Sequence, residues 1–343
     1  MLIPNYNRST ALLRAVGSVL RQAHGQVEII VVDDGSETDL ARTYSLLGDQ
    51  GVRVVRLPRR RGGSCARNVA VEAATGTHVS FLDSDDLWLP GRLDRLRELA
   101  PSLGERALVS GTMIYQWGEM ASFEQPPWPD GLSPVDFVYR DGGRLQTSML
   151  TLPVAVARAH PFREDLKVNQ DSDFALRLHA SGVRFLLDPV PGVIKDESDS
   201  DDRLSLDPAT IDRSYAWFKS VSATWSPAAV SGYYIRDRAW RLIGAGRRLE
   251  ALGCVLRGNV PPVSLGSTLR TTAEAVFGRG GYAHMRNAFR RAFPRSRSAG
   301  GGNPALAWFR GLDVEARRLL DGPSPAEGRA ACTPRLAAGS LVG

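Results

Sequence analysis

The sequence predicts an α/β fold, in which a mostly parallel sheet carries helices on both faces and a helical C-terminal region follows. Short apolar runs at Val27–Val32, Val52–Leu57 and His78–Leu82 read as buried strands of a parallel sheet. Segments of helical composition separate them, the alternation expected of β-α-β units. Two of the runs also stop at acidic clusters, Asp33-Asp34-Gly35-Ser36 and Asp83-Ser84-Asp85-Asp86. Ligands of such sheets bind beyond the carboxyl ends of the strands, where these clusters lie.

In chain order, Leu2-Ile3 before Pro4 gives a stub of a first strand. A chain start a few residues late is the other reading of so short an element. Ser9 or Thr10 caps a helix with apolar positions at Leu12, Leu13, Val16, Val19 and Leu20. A second helix spans Ser64–Ala74 and closes at Thr75-Gly76. Residues 113–145, rich in Gly, Pro and aromatic residues, read as a loop-heavy insertion. Leu145–Leu152 is a strand, Asp171–Ala180 a helix, Val183–Leu187 a strand and Asp196–Arg203 an acidic loop. Helical patches follow at Tyr215–Ser222, Arg236–Leu256 and Thr268–Phe277. Pro294–Pro304 reads as a flexible linker, and the last twenty or so residues as a partly disordered tail. The expected organisation is therefore a front domain over 1–205, a basic helical region over 206–293, and linker and tail over 294–343.

Composition narrows the class. The 343 residues carry 43% hydrophobic and 23% charged side chains, ordinary for a globular protein with a sizeable core. Three cysteines, Cys65, Cys254 and Cys332, are odd in number and far apart, so they read as free thiols rather than a disulfide framework. No run of about 18 apolar residues suggests a spanning helix. The N-terminus lacks the basic and apolar regions of a signal peptide, which points to the cytoplasm. Residues 1–205 have a net charge of −5 and residues 206–343 one of +11. A basic back half with Arg236, Arg238, Trp240, Arg241, Arg247 and Arg248 suits peripheral contact with an anionic membrane at its inner face. An arginine-rich helical cap or oligomer contact suits it equally. No nucleic-acid-binding motif accompanies the charge. The five histidines show no zinc-like spacing, and there is no GxSxG nucleophile elbow.

The acidic and glycine-bearing segments carry the chemistry. Asp33-Asp34 at a strand end can accept bonds from a nucleobase N–H or ribose hydroxyls, and an Asx turn is the bland alternative. Gly62-Gly63-Ser64 before a helix, with Arg67 one turn on, suits an anion at the helix start, although arginine runs are usually solvated faces. Asp83, Asp85 and Asp86 crowd negative charge that calls for a cation, and their hard oxygens suit Mg²⁺ or Mn²⁺. Asp171, at a helix start, is by itself a plausible cap.

The order Ile3-Pro4-Asn5-Tyr6-Asn7-Arg8, Val31-Val32-Asp33-Asp34-Gly35-Ser36, Gly63-Ser64-Cys65-Ala66-Arg67-Asn68, Phe81-Leu82-Asp83-Ser84-Asp85-Asp86 and Gln170-Asp171 resembles the family 2 glycosyltransferases of GT-A (Rossmann-like) fold. The resemblance covers about residues 1–205. It implies an inverting transfer of sugar from a nucleotide-diphosphate donor, most commonly uridine-linked, to a hydroxyl of a saccharide or polyprenyl-linked glycan in cell-envelope polysaccharide synthesis. It assigns donor binding to Pro4, Tyr6, Asn7, Arg8, Asp33, Asp34, Gly63, Arg67, Asn68, Asp83 and Ser84. The metal ligands it implies are Asp85 and Asp83, and the catalytic base is Asp171. Two departures stand out. Gln170 replaces the Glu of the family's Glu-Asp motif, and the acidic loop from Asp196 stands where a His is usual. A catalytically inactive sugar-nucleotide or surface-binding protein of the same fold is the alternative, against which Asp83, Asp85 and Asp171 argue.

Overall fold

A computed structural model describes residues 1–23, 27–116, 118–197, 207–258, 266–278 and 303–321. Strands β1 (Leu2–Asn5), β2 (Ile30–Asp33) and β3 (Arg53–Arg56) form a parallel sheet with β2 in the middle. The register pairs Asn5 with Asp33 and Asp33 with Arg56, so the carboxyl ends share one edge. The stub of a first strand is thus a full partner of β2. Beyond β4 (His78–Ser80), a parallel bridge between Leu2 and Phe81 brings the next segment beside β1. The acidic loop that follows reaches the same edge.

Alternation along the strands explains the helices on both faces. Leu2, Ile30 and Val32 face a cluster with Ala66 and Ala70 of α3 (Gly63–Ala73) and Phe174 and Leu178 of α6 (Gln170–Ala180). Ile3 and Val31 point oppositely, to Leu12 and Val16 of α1 (Ser9–Leu20) and Leu96 of α4 (Arg92–Leu103). A period of two in the strands meets a period of 3.6 in the helices. α2 (Ala41–Asp49) precedes β3.

The second sheet is mixed. Its order is β4, β8 (Leu150–Pro153), β6 (Ala107–Gln116), β9 (Phe185–Asp196), β5 (Leu87–Trp88), with β7 (Glu119–Phe123) beside β6. Only β6 and β9 pair in parallel. The parallel character predicted from the sequence therefore resides in β1–β3, the β4 junction and the β6–β9 pair, and the other pairs are antiparallel. Residues 113–145 also differ from a plain loop: β6 runs to Gln116 and turns into β7, so the irregular stretch begins near Glu124. β9 runs far past Leu187 despite Pro189 and Pro191, because its register with β6 shifts around Gly111. A Cβ on Gly111 would lie 2.5 Å from the Pro189 carbonyl oxygen, so that irregularity requires glycine.

After α5 (Val154–Ala159) and α6, the back half is helical: α7 (Pro208–Val221), α8 (Pro227–Gly232), α9 (Ala239–Gly244), α10 (Arg248–Gly258) and α11 (266–278). The stacked pairs Tyr139–Trp225 and Phe218–Tyr233, set edge-on to each other, join it to the front domain. Within the segment read as linker and tail, residues 304–321 are instead an 18-residue helix, α12 (Pro304–Asp321). Pro304 sits at its first position, where proline starts helices. Ala305, Phe309, Leu312 and Ala316 face inward at helical spacing, against β5, β9 and α1. Of the acidic loop at 196–203 only Asp196 and Glu197 lie within the described residues, and Cys332 and the tail beyond 321 lie outside them.

Candidate active site

Asp33 and Asp34 close β2 and are both buried. Asp33 accepts from the Ser36 N–H at 3.1 Å and from Arg56 Nε at 3.1 Å. Asp34 accepts the backbone N–H groups of Arg61 and Gly62, one on each oxygen and each at 2.7 Å. The loop ahead of α3 thus already holds an anion, and that anion is the protein's own Asp34. Gly35, at φ +68, lets the two loops touch, since a Cβ there would fall 2.4 Å from the Arg59 carbonyl carbon.

Asn7, in left-handed backbone (φ 54), accepts at its amide oxygen from the N–H groups of Glu37 at 2.9 Å and Thr38 at 3.2 Å. Tyr6 lies under the Arg60 guanidinium, 4.1 Å away. Pro4, Tyr6, Asn7 and Arg8 therefore share the sheet edge with Asp33 and Asp34. Asn68 sits on the opposite flank. Its amide donates to the Phe162 carbonyl and accepts the Phe162 N–H, so it fastens the 162–164 loop to α3.

The acidic loop is the centre of the site. Oxygens of Asp83, Asp85 and Asp86 come within 4.8 Å of one another, and Ser84 between them is buried. Each carboxylate meets a cation. Arg8 contacts Asp85 at 2.6 Å, Arg67 contacts Asp83 at 2.5 Å, and Lys195 lies 3.1 Å from Asp86 and 3.6 Å from Asp83. Burial pushes Asp83 up, but Arg67 and Lys195 outweigh it and hold its carboxyl well below the usual range. Asp86 is pushed up to about 7 by burial, against the opposing pull of Lys195. Its oxygens are committed to Ser148 Oγ at 2.6 Å, to Lys195 and to the Asp196 N–H at 3.3 Å. Asp85, whose partner Arg8 is half exposed, and the partly exposed Asp83 beside it can offer oxygens to a hard divalent cation, whereas those of Asp86 are already committed. Asp86 anchors the loop.

α6 completes the constellation. Arg67 donates to the Gln170 amide oxygen at 2.9 Å with one nitrogen and to Asp83 with another, tying α6 to the acidic loop. Gly63 keeps that side chain in place, because a Cβ would sit 3.1 Å from Arg67 Nη1. Gln170, unlike the expected Glu, leaves the Arg67 charge directed at Asp83. Asn169, at φ 58, occupies the cap position of α6, so Asp171 lies inside the first turn and is not the cap. Its Oδ1 accepts the Ser172 N–H at 2.8 Å. Burial raises its proton affinity, partly offset by that bond and by Arg67. Asp173 is different. Buried, it accepts from Trp217 Nε1 at 3.1 Å and Arg177 Nε at 2.8 Å, and so belongs to the packing of α6 on α7.

Lys195 was not singled out by the sequence. Only three lysines occur among 43 basic residues. A compact ammonium at a strand end in so arginine-rich a chain was the available signal. Arg14 on α1 was also missed. Buried, it reaches Asp196 at 2.9 Å, the Asp85 carbonyl at 3.3 Å and Asp313 of α12 at 3.4 Å.

A parallel sheet edge ending in Asp33 and Asp34, an Asp-x-Asp loop and a helix-borne carboxylate are set together on one side of a domain of GT-A fold. Residues 1–152, the front of the chain, match the family described as glycosyl transferase family 2. It is 37% identical over 108 residues to the succinoglycan biosynthesis protein ExoO of Rhizobium meliloti, covering 32% of this chain and 31% of that protein. It is 39% identical over 101 residues to the putative teichuronic acid biosynthesis glycosyltransferase TuaG of Bacillus subtilis, covering 29% and 40%. The chain thus spans between about a third and two fifths of the length of these relatives. Among solved structures, S. aureus TarS 1–349 in complex with UDP-GlcNAc superposes with a TM-score of 0.51 at 16% identity, over 92% of this chain and 88% of that one. That likeness is one of fold.

Proposed function

We propose that the protein is an inverting glycosyltransferase that moves a sugar from a uridine diphosphate donor to a hydroxyl of a saccharide or polyprenyl-linked glycan, working at the inner face of the membrane. The observation that carries the proposal is the link from Asp171 through α6 and Arg67 to Asp83. One bidentate side chain sets the distance between a carboxylate of raised proton affinity and the Asp-x-Asp loop. The TarS structures with UDP and UDP-GlcNAc support the choice of donor class.

In this reading Asn7, Asp33 and Asp34 shape the nucleoside pocket by fixing the loops around it, and Tyr6 offers a ring face. Asp171 accepts the proton of the acceptor hydroxyl as its oxygen bonds to the anomeric carbon. The bond from that carbon to the diphosphate breaks, and its electron pair leaves with the phosphate oxygen. Arg67, Arg8 and Lys195 surround the zone where this charge collects. A Mg²⁺ or Mn²⁺ held by Asp83 and Asp85 would supply further charge stabilisation to the leaving diphosphate. A melting-temperature screen with UDP, GDP and UDP-sugars, with and without Mn²⁺, tests the donor assignment. UDP compounds should raise the melting temperature. No shift with any nucleotide, in a folded protein, would sink the proposal.

A further inference from the structure

We propose that α10 and α11 form a lipid-docking face that seats the chain on an anionic membrane. Seven large hydrophobic residues are exposed among the described residues, and five of them lie on these two helices: Leu249, Leu256, Leu269, Val276 and Phe277. Leu249 is 84% exposed and Leu256 76%, far beyond what scattered surface leucines need. Their placement is not random. The inner side of α10, Ala251, Cys254 and Val255, is buried, and Ala251 and Cys254 pack with Ala239, Leu242, Ile243 and Ala275 of α11. Leu249 and Leu256, two turns apart, share the outer side. On α11 the same spacing puts Leu269 and Val276 on one side. The end of α11 adjoins the start of α10, because Gly278 lies so close to the Arg248 guanidinium that a Cβ would fall 2.5 Å from it.

Charge selects the occupant. Arg248, Arg257 and Arg270 are exposed on the same two helices. An apolar strip fringed with arginine matches an acidic lipid surface, whereas a second copy of this chain would present like charge. The arginines that the sequence suggested for this task mostly turn inward. Arg241 pairs with Asp237, Arg238 stacks 3.6 Å over Tyr215, and Arg247 pairs with Glu250.

Flotation of the full chain with phosphatidylcholine vesicles, with and without phosphatidylglycerol, tests the face. This readout is independent of the donor chemistry. The protein should float with the acidic vesicles only, and high salt should release it. The triple variant Leu249→Ser, Leu256→Ser, Phe277→Ser should lose roughly tenfold or more of that binding, with circular dichroism and melting temperature unchanged. Val314→Ser, exposed on α12, should bind as the parent does. If the triple variant misfolds, Leu249→Ser and Phe277→Ser alone carry the test. No flotation of the parent, undiminished flotation of folded variants, or a parent dimer that the triple variant turns into a monomer would each overturn the inference.

Discussion

The Lys195 ammonium lies 3.1 Å from the Asp86 carboxylate, deep under the acidic loop, and is the fixed positive charge of the site. Neighbouring Asp86, Asp83 and Asp85 raise its own proton affinity despite burial, so it stays charged throughout the physiological range. Removing one partner of a buried pair leaves an uncompensated charge. Lys195→Met should therefore cost on the order of 3–5 kcal/mol in denaturant unfolding at neutral pH. The sign of the pH dependence follows. Asp86 binds its proton more tightly folded than unfolded, so its penalty is absent below the ordinary carboxylate range and grows as pH rises through about 7. The deficit of the variant should shrink on acidification, and one that stays constant from pH 4 to 8 would refute this role.

Asp171→Asn should leave melting temperature and nucleotide binding near normal while turnover falls by roughly 10² to 10⁴-fold. Asp173→Asn should behave inversely. Its carboxylate is tied to Trp217 and Arg177, so the substitution lowers the melting temperature and spares the turnover of molecules that remain folded. Equal turnover in Asp171→Asn and the parent would remove Asp171 from proton transfer.

A base whose proton affinity is raised must be deprotonated to work. The acidic limb of kcat/KM should accordingly fall at a pH above the ordinary carboxylate value, with activity lost as pH drops through it. An acidic limb at or below that value would contradict the burial argument for Asp171.

EDTA should abolish transfer, and Asp85→Ala should do the same at little cost in stability. Asp85 has a partly exposed ion pair with Arg8 as its partner, and such pairs contribute little. Asp83→Ala should cost more stability, since it strips Arg67 and Lys195 of a shared counter-charge. Full transfer in EDTA would exclude the metal.

The front of the site was legible because short strands, acidic strand ends and helix starts are local events. Asp33 and Asp83 stood out that way, whereas Asp171 read locally as a cap and was singled out only by the order of the motifs. What Asp34 and Asn68 touch could not, since their partners lie 27 to 94 residues away. Lys195 was hidden for the same reason, on a strand whose prolines argued for an earlier end. α12 was hidden by its neighbourhood, because a Gly-Gly-Gly run and prolines outweighed a regular apolar spacing that was present in the sequence.

α12 closes the packing of α1 and β5, where Trp308 donates to the Trp88 carbonyl and Phe309 stacks beside Tyr115 and Arg14. During synthesis the chain emerges N-terminus first, and domains generally fold in that order. The front domain here has to wait. Its apolar flank at Leu87, Leu89 and Ile194 stays bare until residues beyond 304 have left the ribosome, so the nascent chain carries an uncovered seam while the whole segment between Ile194 and Pro304 is made.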